Sequence, residues 1–335
     1  MGIRAETILL YWHLFVEVFD RLIYIPNAIL LFAMSVTRLV AITGCDSGLG
    51  YALAARTARE GLVTVAGMLN GVDTNAANSL AKLAVHPCPL DVTSVDSVAG
   101  FREYVNGLLK DNPHYRLHAI VNNAGVMTIG DFEWQTPDMI MNTIDVNLLG
   151  SMRVASAFLP QLRKSATEVR PRIINIASHC GLQPLPGFAP YSASKAGVLA
   201  WTQALRLELR EHGLKAVAFV PGGFIGSSNL LSAQTRQCND MLEHLDTDQR
   251  SFYEKRILAL SNYLSHAKLD SNYDALKDID IIETFVKALT DDDPKALYKV
   301  QTWRYAFYYS LLKLPLPDAT HHWLIKKFLS FPQVN

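Results

Sequence analysis

The chain has 335 residues and a formal net charge of zero, with 50% hydrophobic and only 19% charged residues. That is ample material for one large α/β core or two smaller ones, and the neutral balance without a basic run argues against a nucleic-acid partner, which needs clustered Lys and Arg. The four cysteines (Cys45, Cys88, Cys180, Cys238) are scattered, with no CxxC pair and no His/Cys cluster at ligand spacing. They read as reduced thiols, and no metal site is expected.

Residues 8–34, ILLYWHLFVEVFDRLIYIPNAILLFAM, are strongly apolar but interrupted by Glu17, Asp20 and Arg21. Within them the longest charge-free run, Leu22 to Met34, holds 13 residues, short of the roughly 20 a spanning helix needs. A cleaved signal would want a basic n-region and a small-residue cleavage site, and the acids argue against a transit peptide. His13, Glu17 and Asp20 fall at helical spacing and make one polar stripe. Such a helix suits a membrane interface with Tyr11 and Trp12 among the headgroups, or else packing on the protein's own body or a partner subunit. Residues 1–36 are read as a membrane-associating segment.

From residue 37 short apolar runs alternate with longer helical stretches, the pattern of βα units in a parallel sheet. Strands are expected at 38–43, 62–68, 85–90, 118–124, 172–178 and 215–220, with a last short one at 296–300. Helices are expected at 49–59, 75–83, 95–109, 137–162 and 192–211. The implied fold is α/β, a doubly wound, Rossmann-like parallel sheet in a single domain over 37–300, with hydrophobic N- and C-terminal extensions. Residues 224–275 would form a lid. The aromatic and basic tail from 301 to 335 would cap the pocket, touch a membrane or simply pack on the core.

The first strand runs into TGCDSGLG, residues 43–50. Its glycines, Gly44, Gly48 and Gly50, permit a sharp strand-to-helix turn and let a pyrophosphate meet backbone N–H groups at the helix start. NNAG (122–125) ends the fourth strand, Ser178 the fifth and PGG (221–223) the sixth. All lie at carboxyl ends, where open α/β sheets bind ligands. Thirteen residues after Ser178 comes YSASK. A four-residue step puts Tyr191 and Lys195 on one helix face. A free phenol keeps its proton to about pH 10, and a neighbouring cation lowers that value, making a tuned proton donor and acceptor. A half-buried ring beside a snorkelling lysine is the plainer alternative.

TGCDSGLG, NNAG, Ser178, YSASK and PGG, in this order and spacing, resemble the short-chain dehydrogenase/reductase family over about residues 37–300. TGCDSG, AGMLN (66–70) and KALTDDDPKALYKV (287–300) are similar to the branch of 17β-hydroxysteroid dehydrogenase type 2, retinol dehydrogenases and D-β-hydroxybutyrate dehydrogenase. The resemblance implies that Tyr191 is the general acid/base and that Lys195 lowers its pKa and holds the nicotinamide ribose. It implies that Ser178 binds the substrate oxygen, and that Asn147, in DVNLLG, links Lys195 to a water path. Asp91 would accept from the adenine amino group, while Asn123 and Ala124 would line the adenosine ribose. Thr43, Gly44, Ser47, Gly48, Leu49, Gly50, Val92, Gly125, Pro221 and Gly222 complete the implied cofactor site.

An acidic residue after the second strand would hold the ribose hydroxyl of NAD, and an arginine there would favour NADP. MLNGVD (68–73) has no Asp at the usual position, yet no Lys or Arg occurs between Arg59 and Lys82 to receive a 2′-phosphate. NAD is the expected cofactor, and Asp46 is read as a cap or turn residue. His179 is read as a pocket wall. The expected reaction moves a hydride between NAD and a lipophilic secondary alcohol, a steroid (an ecdysteroid precursor included) or a retinoid. A short hydroxy acid is the alternative, its carboxylate needing a cation such as Arg236, Arg250, Lys255 or Arg256. A catalytically idle dinucleotide-binding scaffold is the alternative from another class. Association with the endoplasmic reticulum membrane, or alternatively a mitochondrial location, and a homo-oligomer are expected.

Overall fold

The structure is a computed structural model that describes residues 36–223, 229–265 and 272–329. The N-terminal stretch and the start of the lid, 224–228, therefore lie outside the described residues. Seven strands form one sheet: β1 (Thr37–Ile42), β2 (Val63–Met68), β3 (Val85–Pro89), β4 (Tyr115–Asn122), β5 (Arg172–Ile176), β6 (Lys215–Val220) and β7 (Leu297–Lys299). Their order is β3-β2-β1-β4-β5-β6-β7, every neighbouring pair parallel. This is the doubly wound sheet the alternating pattern implied. The order reverses between β1 and β4, which opens the ligand crevice at their carboxyl ends.

The central strands are sealed on both faces, as parallel strands require. Val40 and Ile42 pack under α1 (Gly48–Arg59), α2 (Asn75–Ala81) and the later α10 (Ile279–Thr290), while Leu39 and Ala41 face α3 (Val95–Asp111), α5 (Ser151–Ser165) and the far end of α7 (Ala189–Leu209). α7 begins three residues before the expected start, because Pro190 fits its first turn, where no N–H is needed. The expected 137–162 helix is split. α4 (Pro137–Ile144) passes through a π-helical turn, Asp145–Gly150, before α5 resumes. Such widened turns concentrate at functional sites, and this one carries Asn147.

The described part of the segment expected to form a lid holds α8 (Gln234–His244) and α9 (Thr247–Ser265). Gln234 sits buried on α8 and exchanges two hydrogen bonds with the Ile129 backbone, its Nε2 donating at 2.8 Å and its Oε1 accepting at 3.3 Å. Gln237 donates to the Thr128 hydroxyl at 2.9 Å. The chain after β4 and the lid are thus stitched together.

Arg172, 1% exposed, donates to the carbonyls of Ala288 (3.1 Å) and Asp291 (2.9 Å) and so fixes the carboxyl end of α10, which leads into β7. Beyond β7, α11 (Trp303–Leu311) and α12 (Asp318–Leu329) join the lid and Tyr191 in one apolar cluster. The tail packs on the body of the protein. α6 is the single turn His179–Leu182.

Candidate active site

The turn after β1 is shaped by Gly44, at φ +69°, and Gly48, at φ +54°, conformations in which only glycine is unstrained. A Cβ on Gly50 would stand 2.0 Å from the Gly44 carbonyl oxygen, and one on Gly44 would stand 2.8 Å from the Ala124 backbone. Nothing larger fits this cradle. No side chain caps the start of α1, and its first turn holds no acid, so the helix dipole is left for an anionic ligand. These are the properties a pyrophosphate needs, and the residues present fit a dinucleotide.

Gly44, Ser47, Leu49 and Gly50 line a cavity of about 900 Å³, with Asp91 and Val92 from the next crevice. Asn123, Ala124 and Gly125 line it after β4, and Pro221 and Gly222 after β6. Ser178, Tyr191 and Lys195 open onto the same space. Thr43, Gly48 and Asn147 are the predicted site residues that stand behind its wall. Thr43 is buried and its hydroxyl accepts from the backbone N–H of Asn123 (3.0 Å) and Ala124 (2.9 Å). The Asn123 amide is spent on the carbonyls of Thr43 (2.9 Å) and Gly44 (3.0 Å). Both residues brace the cradle from beneath. One Asp91 oxygen accepts from the Thr93 N–H (2.9 Å) and hydroxyl (2.7 Å).

Asn147 is fully buried. It donates to the Val126 carbonyl (2.9 Å) and the Ser194 hydroxyl (3.0 Å), while its Oδ1 accepts from the Val126 N–H (2.8 Å). A Cβ built on Gly125 would lie 3.3 Å from its Oδ1 and 3.4 Å from Lys195 Nζ, so the two polar groups bracket one point of the wall. Lys195 Nζ donates to the Ile176 carbonyl at 2.9 Å and lies 5.9 Å from the Tyr191 ring centroid. Burial brings its pKa down to about 8. Burial also raises the Tyr191 phenol, and Cys180 adds to the rise, against a hydrogen bond from Ser178 that lowers it. Desolvation, rather than the expected lowering by Lys195, is the largest influence on the phenol.

Ser178 caps α6, its hydroxyl accepting from the Cys180 N–H at 3.2 Å. What presses this turn onto α7 is Gly181: a Cβ there would meet the Lys195 carbonyl carbon at 2.6 Å and its oxygen at 2.7 Å. The backbone contact leaves no flexible group to give way. Gly181→Ala should separate Ser178 from the Tyr191–Lys195 turn, lowering kcat at least tenfold while dinucleotide affinity stays within about threefold. Paired turnover and cofactor-titration measurements check this; an unchanged kcat would remove Gly181 from any positioning role.

Residues outside the predicted cofactor and catalytic sets also line the cavity. Asp46 lines the cavity, and its two carboxylate oxygens accept from the backbone N–H groups of Leu69 and Asn70, each at 2.9 Å. It caps the carboxyl end of β2, and it puts a carboxylate beside Leu69 and Asn70, where the MLNGVD turn has no Asp at the usual position. His179 is a wall residue as read: Nε2 bonds the Val300 carbonyl at 2.9 Å, and burial lowers its pKa. Tyr305, Tyr309 and Phe328 reach the cavity from the tail. Their aromatic spacing was visible, but only the tertiary fold shows which face turns inward. Among the described residues no His, Cys, Asp or Glu cluster could hold a metal ion.

Comparison with known proteins bears on the same residues. The chain is 30% identical over 274 residues to the mitochondrial D-beta-hydroxybutyrate dehydrogenase of Bos taurus, covering 78% of this chain and 76% of that protein. It is 32% identical over 295 residues to retinol dehydrogenase 16 of Mus musculus, covering 85% and 88%. The fold is similar to that of 3-ketoacyl-(acyl-carrier-protein) reductase from Brucella melitensis, solved with NADH, at a TM-score of 0.59 and 21% identity over 81% of this chain and 99% of that one. Residues 38–237 match the profile of the short chain dehydrogenases, a span that takes in the glycine turn, Ser178, Tyr191 and Lys195. This chain is an oxidoreductase of the short-chain dehydrogenase/reductase family.

Proposed function

We propose that the protein is an NAD-dependent dehydrogenase of a lipophilic secondary alcohol, a steroid (an ecdysteroid precursor included) or a retinoid, with ketone reduction as the reverse reaction. The observation that carries this reading is that Ser178, Tyr191 and Lys195 share one cavity with an apolar wall of Leu185, Phe188, Tyr305, Tyr309 and Phe328. At about 25 cal/mol per Å² of buried apolar surface, a ring skeleton gains its affinity there without a charged anchor. The name of the retinol dehydrogenase relative supports the same class. We assign it to the endoplasmic reticulum membrane, with a mitochondrial site as the alternative.

The nicotinamide ring, when bound, accepts the hydride. Gly44, Ser47, Leu49 and Gly50 would hold the pyrophosphate, and Asp91 the adenine. Asp46 supports NAD over NADP, since its carboxylate would accept from a ribose hydroxyl and repel a 2′-phosphate. In oxidation the hydroxyl proton passes to the Tyr191 oxygen as the carbinol C–H bond breaks, and Ser178 donates to the same substrate oxygen as it becomes a carbonyl. Protonated Lys195 favours the phenolate, and Asn147 holds the Val126 backbone beside it.

A second reading, a short hydroxy acid, is favoured by Arg236, which lines the cavity from the lid and has no ion pair among the described residues. The test compares kcat/KM for a steroid, retinol and 3-hydroxybutyrate with each cofactor. A lipophilic alcohol should win by tenfold or more, with NAD preferred over NADP by about a hundredfold and the preference narrowed in Asp46→Asn. A tenfold advantage for the short acid overturns the substrate assignment, and equal use of NADP overturns the role of Asp46.

A further inference from the structure

The tail presents two faces that do different things. On α11, Tyr305 and Tyr309 stand four residues apart, stack at 5.7 Å with 17° between their planes, and line the cavity. Trp303 and Phe307 are also four apart but are 80% and 54% exposed. A two-residue step turns a helix by about 200°, so the two pairs occupy opposite sides of one short helix. Leu314 and, on α12, Trp323 extend the outer apolar set, exposed by 52% and 60%. Leu324, Ile325 and Phe328 turn inward. Of the four described tryptophans, Trp134 is buried and Trp201 half-buried, so both exposed ones lie in this extension. Single exposed apolar residues need no explanation, but aromatics of this size gathered on one extension do.

Charge identifies the occupant. From residue 301 onward the chain carries Arg304, Lys313, Lys326 and Lys327 against Asp318 alone, within a protein of zero formal net charge. Tryptophans flanked by lysines are the composition of an interfacial element, and a basic set is drawn to anionic lipid. A second copy is the poorer occupant, since a two-fold interface would bring the same basic face against itself. Nine residues of helix measure about 14 Å, which lies in an interface and does not cross it. No helix among the described residues is long and apolar enough to cross a membrane.

We propose that α11 and α12 dock on the surface of an anionic bilayer through Trp303, Phe307, Leu314 and Trp323, and that α11 is the partition between that bilayer and the catalytic cavity. Arg304 is exposed and also lines the cavity, with its guanidinium donating to the Phe328 carbonyl at 2.7 Å, so the rim reaches the outside at the docking face. A lipophilic alcohol dissolved in the membrane then enters without crossing water. The route rests on the lipophilic reading above; the docking does not need it.

The full-length protein is mixed with phosphatidylcholine vesicles with and without phosphatidylserine, whose acyl chains are brominated to quench nearby tryptophan. Quenching should be at least twice as strong with phosphatidylserine, and Trp303→Phe with Trp323→Phe should remove half of it or more. Trp303→Ser with Phe307→Ser should raise KM for a vesicle-dissolved alcohol about fivefold or more and leave kcat/KM for a short water-soluble alcohol unchanged. Quenching undiminished by loss of both tryptophans overturns the proposal, as does self-association abolished by the serine pair with no quenching. If no lipophilic alcohol is turned over, the substrate reading fails while the quenching result still decides the docking.

Discussion

Tyr191→Phe should lower kcat by about a thousandfold or more while NAD affinity changes by less than threefold. The ring is 9% exposed and keeps its packing in the variant, because only the hydroxyl is removed. Ser178 acts on that hydroxyl, lowering its pKa against the effect of burial, whereas the pyrophosphate would be held by the glycine turn after β1. Burial holds the phenol protonated in the free protein, so oxidation by the wild type should speed up as pH rises, as the residue gives up its proton. The variant's residual rate should lose that rise. Steady-state kinetics and cofactor fluorescence titration measure both effects, and more than a few per cent of wild-type turnover would rule out the assignment.

Lys195→Met should abolish turnover, weaken NAD binding tenfold or more and yet make the folded protein more stable near neutral pH. A lysine drawn from 10.5 to about 8 by burial is one that the fold would rather hold neutral. The difference corresponds to roughly 3 kcal/mol at most, offset by about 1 kcal/mol for the hydrogen bond to the Ile176 carbonyl. Between about pH 8 and 10.5 the unfolded chain binds more protons at this residue than the folded one, so its penalty shrinks as pH rises. The stability advantage of the variant should therefore be widest below pH 8 and vanish toward pH 10.5. Urea unfolding across that range checks the sign; a variant less stable than wild type at pH 7 would mean that the ammonium is well paired in the fold.

What could be read from the amino-acid order follows physical range. The strands and the motifs at their carboxyl ends were legible because period, glycine and chain position are local. The π-helical turn at Asp145–Gly150 was not, since one extra residue in a turn barely disturbs a helical pattern. Asp46 was legible as a cap, but its place beside Asn70 depends on β1 and β2 being neighbours in the sheet. Gly181 gave no signal, because the backbone it must clear belongs to Lys195, fourteen residues on. The inward faces of the tail depend on packing against the lid.

The residues matching the dehydrogenase profile end at 237, whereas Tyr305, Tyr309 and Phe328 come from far beyond it. The atoms that would break and make bonds, with Phe188 of the enclosing wall, thus lie inside the matched stretch, while three of the enclosing rings lie beyond it. Descendants of this gene can exchange the enclosing part, or let it drift, without disturbing the reacting one. New appetites would then arise chiefly by change after residue 237, while the chemistry is inherited intact.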